Sequence, residues 1–135
     1  LDLTVAVGLE LTDDVEAAGR RHAAGYAFTF GAMGSATANF YVEAFARQGF
    51  DADVREVQRL WLAGDREAAR ARVPIEIGLG TNLVGTDDHV RERLRRYRDA
   101  GVTMLRVGLQ GDVTRDLDRQ LADLGRLLDL ARDAG

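Results

Sequence analysis

The chain has no cysteine and no lysine, one proline and two histidines in 135 residues. Without cysteine there can be no disulfide scaffold, thiolate metal site or cysteine nucleophile. His22 and His89 lie far apart and outside any HExxH spacing. A histidine zinc site would therefore have to recruit carboxylates. All 18 basic residues are arginine, set against 22 acids, for a net charge of −4. An acidic chain lacks the concentrated basic surface that phosphate-backbone binding needs, so nucleic acid is not an expected partner. The single proline, the absence of Ser/Pro tracts and the lack of short repeats leave no linker to mark a boundary within the 135 residues. There is no Walker loop, no GxGxxG and no GxSxG elbow. If the protein is an enzyme, the hard chemistry belongs to a bound cofactor.

Charge is missing locally as well. Residues 23–42, AAGYAFTFGAMGSATANFYV, contain no Asp, Glu, Lys, Arg or His, although 30% of the chain is charged. Twenty residues could span a bilayer as a helix. This window has no Leu or Ile, carries Gly25, Gly31 and Gly34 beside Thr29, Ser35, Thr37 and Asn39, and lacks arginine asymmetry at its flanks. A membrane span is therefore excluded, and the stretch is either core or pocket wall. The chain opens at Leu1 directly into an apolar run, with no basic segment or cleavage site ahead of it. No signal peptide is read there, a cytoplasmic protein is expected, and the start reads as the interior of a longer one.

The apolar pattern predicts the elements. Residues 3–11, LTVAVGLEL, form a nearly continuous β-branched and apolar run, which predicts a strand buried on both faces, as in a parallel sheet. Thr12 is the expected N-cap of a helix running from 13 to near Gly31, with Asp13 and Asp14 favoured by the helix dipole. Further helices are expected over ATANFYVEAFARQ, ending at Gly49; from Asp51 to Gly64, with Val54, Val57, Leu60 and Trp61 on one face; and over DREAARARV, capped by Asp65. Pro74 opens a helical turn followed by extended chain. Thr86-Asp87-Asp88 repeats the earlier cap and starts a helix ending at Gly101, with Val90, Leu94 and Tyr97 inward and Arg91, Arg95 and Arg98 outward. Residues 103–109 predict a second strand, and 114–132 a final helix whose inward face is Val113, Leu117, Leu121, Leu124 and Leu128. Two strands buried on both faces need parallel neighbours that no other segment supplies. The expectation is one partial domain of a larger α/β protein, mostly helical with two parallel-type strands. The alternative is an independent helical domain with a two-stranded sheet, an arrangement of marginal stability.

Candidate chemistry sits in three places. Gly31 and Gly34 permit close backbone approach; Ser35, Thr37 and Asn39 offer uncharged polar groups, and Phe40 and Tyr41 offer flat apolar walls. The set suits a flat, partly polar ligand. The plainer reading is a helix–turn–helix corner packed in a core. Gly31-Ala-Met-Gly34 also matches the GxxG loop of KH domains, but its flanks carry no basic residues. Arg106 lies inside an apolar strand, where it anchors either a buried salt bridge or a ligand anion. Glu10 stands near the carboxyl end of the first strand, where an active-site carboxylate would be placed.

The blocks TDDVEAAGRRHAAGYAFTFGAMGS…NFYVEAFARQGF, VREVQRLWLAGDREAARARVP and TNLVGTDDHVRERLRRYRDAGVTMLRVG resemble the C-terminal region of luciferase-like monooxygenases, over essentially the whole chain. The resemblance is closest to the flavin- or deazaflavin-dependent oxidoreductases of that family. It implies the C-terminal fragment of a (β/α)8 TIM-type barrel, with residues 3–11 as strand seven, 13–100 as a helical crossover, 103–109 as strand eight and 114–132 as the closing helix. It also implies reduced FMN or deazaflavin coenzyme F420 as cofactor, hydride transfer or reduced-flavin oxygenation of a small-molecule substrate, and homodimer formation. Gly31, Met33, Gly34, Ser35, Asn39, Tyr41 and Arg106 are then the candidates for cofactor or substrate contact, with the catalytic residues in sequence upstream. Relatives often carry basic residues between Gly-Met-Gly-Ser and Asn-Phe-Tyr. Here that interval is Ala36, Thr37 and Ala38, which leaves the loop without a charged anion contact. The reading from another class is a small helical interaction module using Phe40, Tyr41, Phe45 and Phe50.

Overall fold

The apolar run near the start forms strand β1 (Thr4–Leu11). In the computed structural model, which describes residues 1–109 and 116–135, two further strands flank it: β2 (Leu83–Gly85) and β3 (Met104–Leu109). All are parallel, in the order β2-β1-β3. The two strands expected from sequence are neighbours, in register from Thr4↔Met104 to Leu9↔Leu109. The third strand corrects the expectation of two. Leu83–Gly85 is too short to show a period and is defined by its pairing with Leu9–Leu11. Just before β2 begins, the Asn82 Oδ1 accepts from the Gly8 N–H at 2.9 Å, so a side chain continues the ladder where backbone pairing has not started.

The described residues divide into two compact units, residues 1–18 with 81–135, and residues 19–80. The first holds the sheet together with α6 (Asp87–Asp99) and α7 (Leu117–Ala134). Its core is Val7, Leu9, Leu83, Val90, Leu94, Leu127, Leu130 and Ala134. The apolar pattern predicted strands buried on both faces, and here only one face is covered. Val7 and Leu9 pack into this core, while Thr4, Ala6, Met104, Arg106 and Gly108 are exposed. β3 alternates exposed and half-buried along its whole length.

A second correction concerns α7. Leu117, Leu121 and Leu128, expected to face inward, are about half exposed at 50%, 56% and 51%, and the buried face is Gln120, Leu127, Leu130 and Ala134. Val113 and the expected helix start at 114 lie outside the described residues.

The second unit is helical. It contains most of α1 (Val15–Ala32), then α2 (Phe40–Phe45), a wider π-type turn (Ala46–Phe50), α3 (Asp51–Leu62), α4 (Arg66–Arg72) and α5 (Ile75–Gly80). Its core joins Ala23, Ala27, Phe30, Val42, Val54, Val57, Ala69, Val73 and Ile77. Asp65 caps α4 as its position predicts, accepting from the Ala68 N–H at 3.1 Å. At the start of α1 the cap moves two residues along. Asp14 Oδ1 accepts from the Ala17 N–H at 3.1 Å, and Thr12 Oγ1 instead closes a tight turn onto the Asp14 N–H. No helix among the described residues is long and apolar enough to cross a membrane.

Candidate functional site

Ligands of open parallel sheets bind at the carboxyl ends of the strands. At that end of the first unit lies a cleft of about 450 Å³. Leu11, Thr12 and Asp13 line it after β1; Gly85, Thr86, Asp87 and Asp88 line it after β2; and Arg91 of α6 and Arg126 of α7 close it. The two Thr-Asp-Asp sequences, 74 residues apart, are brought together here because β1 and β2 end side by side, with the Thr12 N–H bonded to the Gly85 carbonyl at 2.9 Å. Thr86 caps α6 through the His89 N–H at 3.4 Å.

The cleft is polar, and much of its charge is already matched. Arg126 reaches from α7 to Asp87 with both Nε, at 2.7 Å, and Nη2. That fork holds the Asp87 carboxyl below the usual carboxylate range, first by its hydrogen bond and then by its charge, with Arg91 adding to the effect. The guanidinium of Arg126 is raised by the same bond. Arg91 pairs with Asp88 at 2.6 Å and lies 3.6 Å from Asp133. The site offers two arginines tethered by carboxylates and two hydroxyls, an arrangement that can orient a polar ligand through hydrogen bonds. Among the described residues no group of three or more His, Asp or Glu could hold a metal ion. Sequence reasoning noticed the repeated Thr-Asp-Asp as caps and missed the cleft. The signal was the position of both repeats, directly after a strand.

The residues singled out from sequence lie elsewhere. Gly31, Met33, Gly34, Ser35, Asn39 and Tyr41 belong to the second unit, at the corner between α1 and α2, and Arg106 belongs to the first. The corner is built by hydrogen bonds. Gly34 takes φ +103°, and a Cβ there would press on the Ala38 carbonyl at 2.6 Å. Ser35 and Ala38 exchange backbone hydrogen bonds at 3.0 and 3.3 Å, and Ser35 Oγ accepts from the Ala38 N–H at 2.9 Å. Asn39 is buried. Its Oδ1 caps α2 by accepting from the Tyr41 and Val42 N–H groups at 3.0 and 3.1 Å, and its Nδ2 donates to the Phe30 carbonyl at 2.8 Å. Gly31 packs so closely on the Trp61 indole that a Cβ would overlap the ring. Gly31, Gly34, Ser35 and Asn39 therefore do structural work, whereas Met33, Phe40 and Tyr41 keep exposed apolar surface at 39%, 73% and 38%. The four-aromatic patch of the interaction-module reading loses two members, since Phe45 and Phe50 pack against the core of the second unit.

Of the two readings of Arg106, the buried salt bridge is the one the structure corrects. It is exposed on the uncovered face of β3 and makes no ion pair among the described residues. The strand is apolar because its other face packs on the helices. Glu10, on β1, is half-buried and has an interaction partner.

The family model for luciferase-like monooxygenases matches residues 1–104. A Mycobacterium tuberculosis protein named "Putative coenzyme F420-dependent oxidoreductase Rv3520c" is 32% identical over 118 residues. The matched segment is 87% of this chain and 32% of that relative, so the chain spans about a third of the relative's length. No solved structure matches significantly. With the family model matching more than half of its length, the chain belongs to the luciferase-like monooxygenase family.

Proposed function

We propose that the chain is the C-terminal part of a flavin- or deazaflavin-dependent oxidoreductase acting on a small organic substrate, and that within the whole protein it completes a (β/α)8 barrel. The match of residues 1–104 to the luciferase-like family carries this reading. The parallel sheet with an uncovered face supports it, because all-parallel sheets occur almost only with both faces covered. When bound, the cofactor supplies hydride transfer, or activation of oxygen by reduced flavin. The chain's own residues fit a contributing role. Met33 and Tyr41 offer exposed apolar surface suited to a flat ring. Separately, Arg106 carries a guanidinium with no ion-pair partner among the described residues, suited to an anionic group. Asn39 has its amide committed on both sides, so its part is to hold the α1–α2 corner in shape. The catalytic residues, a cytoplasmic location and a homodimeric assembly belong to the same proposal for the whole protein.

The test is to purify the protein encoded by the full reading frame and titrate it with FMN and with coenzyme F420, following flavin fluorescence and then single-turnover hydride transfer. Binding and turnover with one cofactor is the expected result. A full-length protein that binds neither would overturn the oxidoreductase reading. A monomeric, cofactor-binding 135-residue chain would overturn the view that it is one part of a larger catalytic domain.

A further inference from the structure

The corner between α1 and α2 spends its buried polar groups on itself. The Asn39 amide is committed to Phe30, Tyr41 and Val42, and Ser35 Oγ accepts from the Ala38 N–H. What the corner shows to solvent is largely apolar: Phe40 at 73%, Met33 at 39% and Tyr41 at 38%. The Phe40 and Tyr41 rings meet edge to face, with centroids 5.7 Å apart, so each restrains the other. The Tyr41 hydroxyl makes no hydrogen bond among the described residues. No residue from 23 to 42 is charged, and the next one along, Glu43, is already paired with Arg55 at 3.2 Å. Burial does not impose this on residues 33–38, 40 and 41, which are exposed and could carry charge freely.

We infer that Met33, Phe40 and Tyr41 are substrate-selecting residues, and that they take an uncharged, largely apolar compound whose hydrogen-bond acceptor meets the Tyr41 hydroxyl. The inference rests on the oxidoreductase reading above and narrows its small organic substrate to a class. Charge decides the class. A carboxylate or phosphate seated on the rings would leave water without a cation to meet it, a costly transfer. An apolar body gains free energy from the same contact. Size decides against a macromolecule. Three partly exposed side chains offer roughly a few hundred Å², well short of the roughly 800 Å² that each partner buries in a stable protein interface.

The experiment uses the full-length protein, with and without cofactor, and two neutral esters, methyl benzoate and methyl 2-naphthoate, each against its free carboxylate. Affinities are read by saturation-transfer NMR. At least one ester should bind at least about 10-fold more tightly than its carboxylate. Phe40→Ala should weaken that ester about 10-fold, and Tyr41→Phe, which removes only the hydroxyl, about 3-fold. Phe40 is 73% exposed, so Phe40→Ala should keep the wild-type Tm. Carboxylates that bind as tightly as the esters, or ester affinities unchanged in both variants, would overturn the inference. So would carboxylate binding that is lost in Arg47→Gln, because Arg47 is the next exposed cation along the chain. Phe40 and Tyr41 shielded from hydroxyl-radical labelling in the ligand-free protein would overturn it as well, since the rest of the polypeptide would then cover them. Loss of FMN or coenzyme F420 binding in Phe40→Ala, with ester affinity unchanged, would assign the rings to the cofactor instead. Ester affinity is also read with no cofactor present, so failure to bind either cofactor would count against the oxidoreductase reading alone.

Discussion

Asn39 decides whether the α1–α2 corner is a ligand site or a structural joint. Its side chain is 5% exposed and makes three short hydrogen bonds, two accepted from α2 and one donated to the Phe30 carbonyl at the end of α1. Asn39→Ala removes an N-cap, which costs about 0.5–2 kcal/mol. It also strips the Phe30 carbonyl of a buried donor, a loss of about 1 kcal/mol. The sum is about 1.5–3 kcal/mol, or roughly 5–12 °C in Tm for a protein of this size. Asn39→Ser separates the two terms, because serine is a good N-cap but cannot reach the Phe30 carbonyl. The expected order of stability in urea denaturation followed by circular dichroism is wild type, then Ser, then Ala, with the m-value unchanged. An Asn39→Ala protein that melts with the wild type would refute the argument and return Asn39 to the ligand-contact candidates.

Two further predictions test packing and charge. Gly31→Ala places a methyl against the Trp61 indole and should cost about 1–3 kcal/mol, whereas Gly25→Ala, in the same helix with nothing within 4 Å of its Cβ, should gain about 0.5–1 kcal/mol. Paired chemical denaturation of the two variants checks the opposite signs. Asp87 has its folded pKa depressed by the Arg126 hydrogen bond. Its contribution is therefore present above the carboxyl's unfolded pKa and is lost as pH falls through the folded value. Asp87→Asn should melt below the wild type at pH 7 and low salt, and the two curves should converge below about pH 3. A gap that persists at low pH would mean that the Arg126 pair is not its source.

The fold was legible where a pattern had length. The apolar run of β1 gave the strand itself, though not which face it buries, the thirteen residues of α6 carry their burial in their spacing, and Thr86 and Asp65 cap the helices that follow them. β2 was not legible, because a strand of three residues has no period and exists through its pairing with Leu9–Leu11. α7 misled for a different reason. Its leucines recur at spacings that define two adjacent stripes, 117-121-124-128 and 120-127-130-134 with a glutamine in the second. A hydropathy count prefers the first. The packing in this chain uses the second, with Gln120 buried in it and not left without an interaction partner.

The uncharged stretch from Ala23 to Val42 shows why composition alone could not separate core from site. Its first half obeys helical spacing, with Ala23, Ala27 and Phe30 facing the core of the second unit and Gly31 against Trp61. A charge at any of these positions would be buried without a partner and cost several kcal/mol. Its second half lacks charge while being largely exposed, from Met33 to Tyr41 apart from Asn39. Burial explains the first half and fails for the second. There, Gly34, Ser35 and Asn39 are fixed by the hydrogen bonds of the corner, which leaves Met33, Phe40 and Tyr41 as exposed apolar side chains, the last two in edge-to-face contact with each other. Those three residues, and not the glycines that first drew attention, are where a ligand-facing role of this stretch would reside.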